Sequence, residues 1–143
     1  MNSSGIRVKE ECVAAFNEIK DNHRWKYVIF KLSDNKQSIA VSKKVRTSTY
    51  EDFIKLFRMD ECLYALYEFT YQTEDRGPAS KIVFFSWTPE DSQEERMIYA
   101  SSRVLFQNKI SPHMPSVEAT EQDDLEEENV TSRIHQKRII RRI

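Results

Sequence analysis

The chain has two glycines, Gly5 and Gly77, in 143 residues. Loops that cradle phosphate need backbone with no side chain in the way, and GxGxxG and GxxxxGK[ST] both demand more glycine than is present. Such loops are excluded. Cysteine is equally scarce: Cys12 and Cys62 fit no metal-ligand spacing and read as reduced, buried thiols of a reducing compartment. The three histidines, His23, His113 and His135, are scattered, and no HExxH, GxSxG or CxxC occurs. With no nucleophile–base pair or metal constellation readable, the expectation is no enzyme and no cofactor. No apolar run reaches the ~18 residues that span a bilayer, and the first twenty residues carry no apolar signal-peptide core. Asn129-Val130-Thr131 fits a glycosylation acceptor, but without an export route the match has no use. An excess of one charge is missing too. The net charge of −1 gives no global basic field, so nucleic acid is not an expected partner.

What is present suits one soluble domain with a sizeable core: 39% hydrophobic and 31% charged residues. Val8, Cys12, Ala15, Phe16 and Ile19 recur at helical spacing, with acids early. Trp25 to Leu32 is aromatic and β-branched, a strand, and Ser33-Asp34-Asn35-Lys36 is a turn. Ser38 to Lys44 alternates around Ile39, Val41 and Val45, as a second strand does. Ser48-Thr49 caps a helix continued by Phe53, Ile54, Leu56 and Phe57. Leu63 to Thr73 reads as a long strand with Leu63, Ala65, Tyr67, Phe69 and Tyr71 on one face. Glu74 to Ala79 reads as a turn. Lys81 to Trp87 is almost wholly apolar, as a strand covered on both faces is. Pro89 suits the first turn of another helix, and Pro112 and Pro115 end it. Residues 121–128 are acidic, and residues 133–143, RIHQKRIIRRI, are basic. The order predicts a mixed sheet sealed on both faces by helices, an α+β fold.

Residues 96–110, RMIYASSRVLFQNKI, hold apolar triplets at Met97-Ile98-Tyr99 and Val104-Leu105-Phe106. Each helical step turns about 100°, so one buried face cannot hide three consecutive side chains. If residues 93–110 are helical, Tyr99, Phe106 and Ile110 share the core face, and Met97, Ser101, Val104 and Asn108 lie opposite. Leu105 falls on the border. Periodicity alone leaves helix against strand open for 97–102. Tyr64, Tyr67, Tyr71 and Trp87 fit sheet packing better than a ligand cage.

Four blocks carry a resemblance: Ser4-Gly5-Ile6 with Val8, DECLYALY at 60–67, SKIVFFSWTP at 80–89 and RMIYASS at 96–102. In this order and spacing the chain resembles the ADF/cofilin family, from Ser4 to about Arg133. The resemblance implies the actin-depolymerising factor homology fold, a mixed central β-sheet sandwiched between α-helices, over residues 1–133, with 134–143 as a basic C-terminal tail. It implies a non-catalytic, monomeric protein of the cytoplasm and actin cytoskeleton. Such a protein binds actin monomers and filaments and promotes severing and depolymerisation. The surface for monomers and filaments would include Ser4, Gly5, Ile6, Arg96, Met97 and Arg103. Ser101, Val104 and Asn108 complete it on the outward helix face. A filament-only surface would include Lys81 and, in a C-terminal helix, Arg133. Ser4 would be a regulatory phosphorylation site, because its phosphate adds about −1.5 to −2 charges beside the actin-facing surface.

The chain departs from the family pattern at charged positions. Glu94, Gln107 and Asn108 stand where Lys or Arg is usual, Val104 where Asp is usual, Ala79 where a basic residue is usual, and Pro112 where Gly is usual. Lost charge-assisted contacts imply weakened activity, or a filament-binding module without efficient severing. The tail has three readings: a solvated end balancing residues 121–128, a contact for anionic phosphoinositide lipids, or a nuclear import signal.

Overall fold

The computed structural model describes residues 5–134 and 140–142. Ser3 and Ser4 therefore lie outside the described residues, as do residues 135–139 and 143. The elements run β1 (Arg7–Val8), α1 (Glu10–Asn22), β2 (Tyr27–Leu32), β3 (Ser38–Val45), α2 (Tyr50–Ile54), β4 (Leu63–Thr73), β5 (Gly77–Trp87), α3 (Gln93–Ile110), β6 (Ser116–Ala119), α4 (Glu127–Ile134) and β7 (Ile140–Arg142). The strands form one mixed sheet in the order β1-β3-β2-β4-β5-β6, with β7 against β4. Pairing is antiparallel from β3 through β5 and parallel at β1–β3 and β5–β6. The α+β expectation holds.

The sheet is covered on both sides because its inner strands are apolar on both. Leu63, Ala65, Tyr67 and Phe69 of β4 join Val83, Phe85 and Trp87 of β5 on the side that meets Phe53 of α2 and Val130 of α4. Tyr64 and Leu66 face the opposite side with Phe84, against Cys12, Phe16 and Ile19 of α1 and Tyr99, Phe106 and Ile110 of α3. Polar groups within these layers find partners. The Tyr50 hydroxyl donates to the Leu125 carbonyl at 2.6 Å, and the Trp87 indole donates to the Arg58 carbonyl at 2.6 Å. Cys12 and Cys62 are buried free thiols. Burial, with Glu11 nearby, pushes Cys12 up to about 12, which leaves it an inert core group. Tyr64 and Trp87 lie in opposite layers, so the aromatic residues form packing and no shared cage.

Several expectations change at their edges. The turn expected over 74–79 is shorter, because β5 begins at Gly77 and pairs Gly77, Pro78 and Ala79 with Thr73, Gln72 and Tyr71. Gly77 has φ +78°, which lets the chain reverse within three residues. Pro89 precedes a 3-10 turn, Glu90–Ser92, and does not lie in α3 itself. Arg133 and Ile134 close α4, whereas residues 140–142 form a strand. β2 pairs with β4 at Tyr64 to Tyr67, which leaves the edge of β4 at Tyr71–Thr73 for β7.

Candidate functional site

α3 starts with Glu94 and Glu95 in its first turn and ends with Lys109 in its last, as the helix dipole favours. Its inner side is fixed by aromatic packing. The Phe106 ring lies 4.8 Å from Tyr64 and 5.0 Å from Phe30 between centroids. The Tyr99 hydroxyl accepts from the Leu32 backbone N–H at 2.8 Å, and the Tyr64 hydroxyl donates to the Tyr99 carbonyl. Burial raises the pKa of both phenols.

With that side pinned, the outer side has a fixed direction. Met97 is 77% exposed and Val104 54%. Ser101 and Asn108 are exposed with them, Arg96, Arg103 and Leu105 are half-buried, and Tyr99, Phe106 and Ile110 are buried. The two-faced helix read from the sequence is the one observed, and the strand alternative for 97–102 falls. The Ser101 hydroxyl donates to the Ile98 carbonyl at 3.2 Å.

The N-terminal segment lies near the start of α3. Arg7 donates its N–H to the Gln37 carbonyl at 3.0 Å, and Lys36, in the same turn, lies 3.8 Å from Glu94. Gly5 is exposed with φ +72° and open space where a Cβ would stand. Ile6 differs from its expected role. It is 3% exposed, part of the α1/α3 core, so its side chain anchors the segment and offers no surface. Lys81 is exposed on β5 opposite Phe69, and Arg133 is exposed on α4 with one guanidinium N–H donating to the Ser116 carbonyl at 3.5 Å.

Several partners were invisible in the pattern. Arg103 Nε lies 3.2 Å from Glu118 Oε1 on β6. Lys109 lies 3.9 Å from Glu10 on α1. The Gln107 amide donates to the Met114 carbonyl at 3.0 Å, which secures the chain after the helix. Arg103 with Glu118 and Lys109 with Glu10 join separate elements, which share no periodicity by which to find such pairs. Among the described residues no group of three His, Cys, Asp or Glu could hold a metal ion, and no helix is long and apolar enough to cross a membrane.

The family model for cofilin/tropomyosin-type actin-binding proteins matches residues 5–135. The chain belongs to the ADF/cofilin family. It is 32% identical to the cofilin of Mycosarcoma maydis, over 92% of this chain and 96% of that one. It is 32% identical to the cofilin of Saccharomyces cerevisiae, over 94% and 95%. In three dimensions it resembles a Streptomyces griseoflavus cofilin with TM-score 0.82 at 27% identity, covering 92% of this chain and 98% of that one. Human coactosin-like protein shares the fold, with TM-score 0.77 at 21% identity over 92% and 99%. ADF/cofilin proteins are actin-binding and non-catalytic, and the mixed sheet between helices is their architecture.

Proposed function

We propose that this chain binds actin monomers and filaments through the outer ridge of α3 and promotes filament disassembly in the cytoplasm. The observation that carries this reading is Met97, an apolar side chain 77% exposed on a helix whose other side is locked into the core. Exposed single apolar residues are common, but here Met97 and Val104 form one ridge with Ser101 and Asn108 between and beyond them. Apolar anchors of this kind often cost more than ~1 kcal/mol when truncated at an interface. Arg96 and Arg103 supply the charged border, and exposed Gly5 belongs to the same proposed surface. Lys81 and Arg133 form the filament-side surface.

The mechanism is differential binding. A wedge that fits a twisted filament state better than the relaxed one shifts the population toward the twisted state, and strain at the boundary with bare filament breaks contacts. Pyrene-actin disassembly with the parent and Met97→Ala tests the reading. Loss of activity in the variant supports it, and equal activity removes it. Phosphate on Ser4 blocks docking by repulsion, so Ser4→Glu binds actin more weakly than the parent in cosedimentation.

A second reading, filament-side binding without efficient severing, is favoured by Ala79 at the second surface and by Gln107, whose amide is occupied by Met114. Filament imaging separates the two: decoration without breakage supports the second. The basic tail keeps its contacts with anionic phosphoinositide or import machinery as alternatives to a solvated end. Liposome binding with and without residues 134–143 reads the first of these.

A further inference from the structure

We infer that Glu118 is an internal competitor for Arg103, and that it sets how strongly the charged border of α3 engages an acidic partner surface. The inference rests on the proposed actin-binding reading of α3. α3 carries three cationic side chains, Arg96, Arg103 and Lys109. Two of them face acids of the same chain: Arg103 with Glu118 at 3.2 Å and Lys109 with Glu10 at 3.9 Å. Near the other end of the helix the only nearby cation in an ion pair runs the opposite way, with Lys36 against Glu94, among the described residues. The border of the ridge is therefore largely neutralised from within.

Glu118 is well placed to hold Arg103. It stands on β6 opposite Ser86 of β5, in a parallel ladder that runs Phe84 to Ser116 through Trp87 to Ala119. Ser86 lies between Phe85 and Trp87, whose side chains enter the α2/α4 layer, so the register puts Glu118 on the sheet face that α3 covers. Flanking Val117 and Ala119 are buried in the α2/α4 layer and fix the strand. The Arg103 side chain is only 22% exposed, whereas Glu118 is 67% exposed. The guanidinium is held down against the body while the carboxylate stands outward.

An acidic partner group meets this pair as a closed contact. To bind Arg103 it must displace or share the guanidinium, and it also meets the negative charge of Glu118. Both effects weaken association. Exposed ion pairs have modest strength, so the brake corresponds to about two- to five-fold in affinity. A charge at the edge of an interface acts chiefly on the association rate and on its salt dependence.

The test uses the full chain in filament cosedimentation and in association kinetics at low and physiological salt. Glu118→Gln keeps the size and removes the charge. It is expected to tighten binding about two- to five-fold, by a faster association rate, with the gain shrinking as salt rises. Arg103→Gln is expected to weaken binding more in the Glu118→Gln background than in the parent. Unchanged or weaker binding by Glu118→Gln, or equal effects of Arg103→Gln in both backgrounds, overturns the inference and makes Glu118 a support for Arg103. Met97→Ala measured in parallel separates the two levels. If it weakens binding while Glu118→Gln does not strengthen it, only the competitor role fails. If Met97→Ala has no effect, the ridge reading fails and the competitor role falls with it.

Discussion

On its inner side α3 presses Tyr99, Phe106 and Ile110 into the sheet, and on its outer side Met97 and Val104 stand in water. The two sides share one backbone and differ in what holds them. Inner positions are fixed by ring contacts and by hydrogen bonds to β2 and β4, so they govern whether the fold exists. Outer positions touch little of the chain, so they are free to serve a partner. One helix thus separates stability from recognition, and substitutions on each side should move one property without the other.

The largest effect is expected from ionising the inner side. Burial raises the pKa of Tyr64 and Tyr99 above the ordinary phenol value of 10.0. A raised folded value means that the neutral form is favoured by folding. Its stabilisation is fully present below pH 10 and is lost as pH climbs from there toward the folded values. Denaturant midpoints are expected to stay level from neutral pH to about 9, to decline once the unfolded Cys12 and Cys62 thiols ionise, whose ordinary value is 9.0, and to collapse above 10; a level profile through strong alkali breaks the comparison. Next comes Phe106→Ala, which removes a fully buried ring and leaves a cavity. It is expected to cost about 3–5 kcal/mol in unfolding free energy. Met97→Ala is expected to do the converse, weakening actin binding by more than ~1 kcal/mol while unfolding free energy stays within about 0.5 kcal/mol of the parent. A large stability loss with intact binding reverses the assignment of the two sides. The smallest effect is Asn108→Lys, which adds a cation to the outer side. Binding is expected to tighten by less than about 1 kcal/mol and to become more sensitive to salt in cosedimentation.

The sequence was most readable where a period had room to repeat. α1, β4 and α3 extend over many residues, and their apolar spacing showed both type and face. β1 has two residues and β6 four, too few for a period, and β6 sits behind two prolines that read only as a helix end. α4 hides at the end of an acidic run, because Val130 and Ile134 are its only aliphatic core contacts. At the site, Met97 and Val104 were legible because exposure on a helix follows from angle. Arg103 with Glu118 and Lys36 with Glu94 were not, since such pairs depend on how separate elements meet. Ile6 shows the same limit. Its residue type fitted the family surface, while its burial depends on where β1 joins β3.

β4 has a consequence of its own during synthesis. Cys62 through Phe69 are buried without interruption, and Leu63-Tyr64-Ala65-Leu66-Tyr67 contains no proline, glycine or charge. A free segment of that kind readily stacks with copies of itself. β2 emerges from the ribosome before β4, but β5 and the covering helix α3 emerge after it. Until they arrive, Glu68 is the one gatekeeper within the strand. A lesion such as Phe106→Ala should therefore leave insoluble protein in the cell, whereas a defect confined to Met97 should leave the yield untouched.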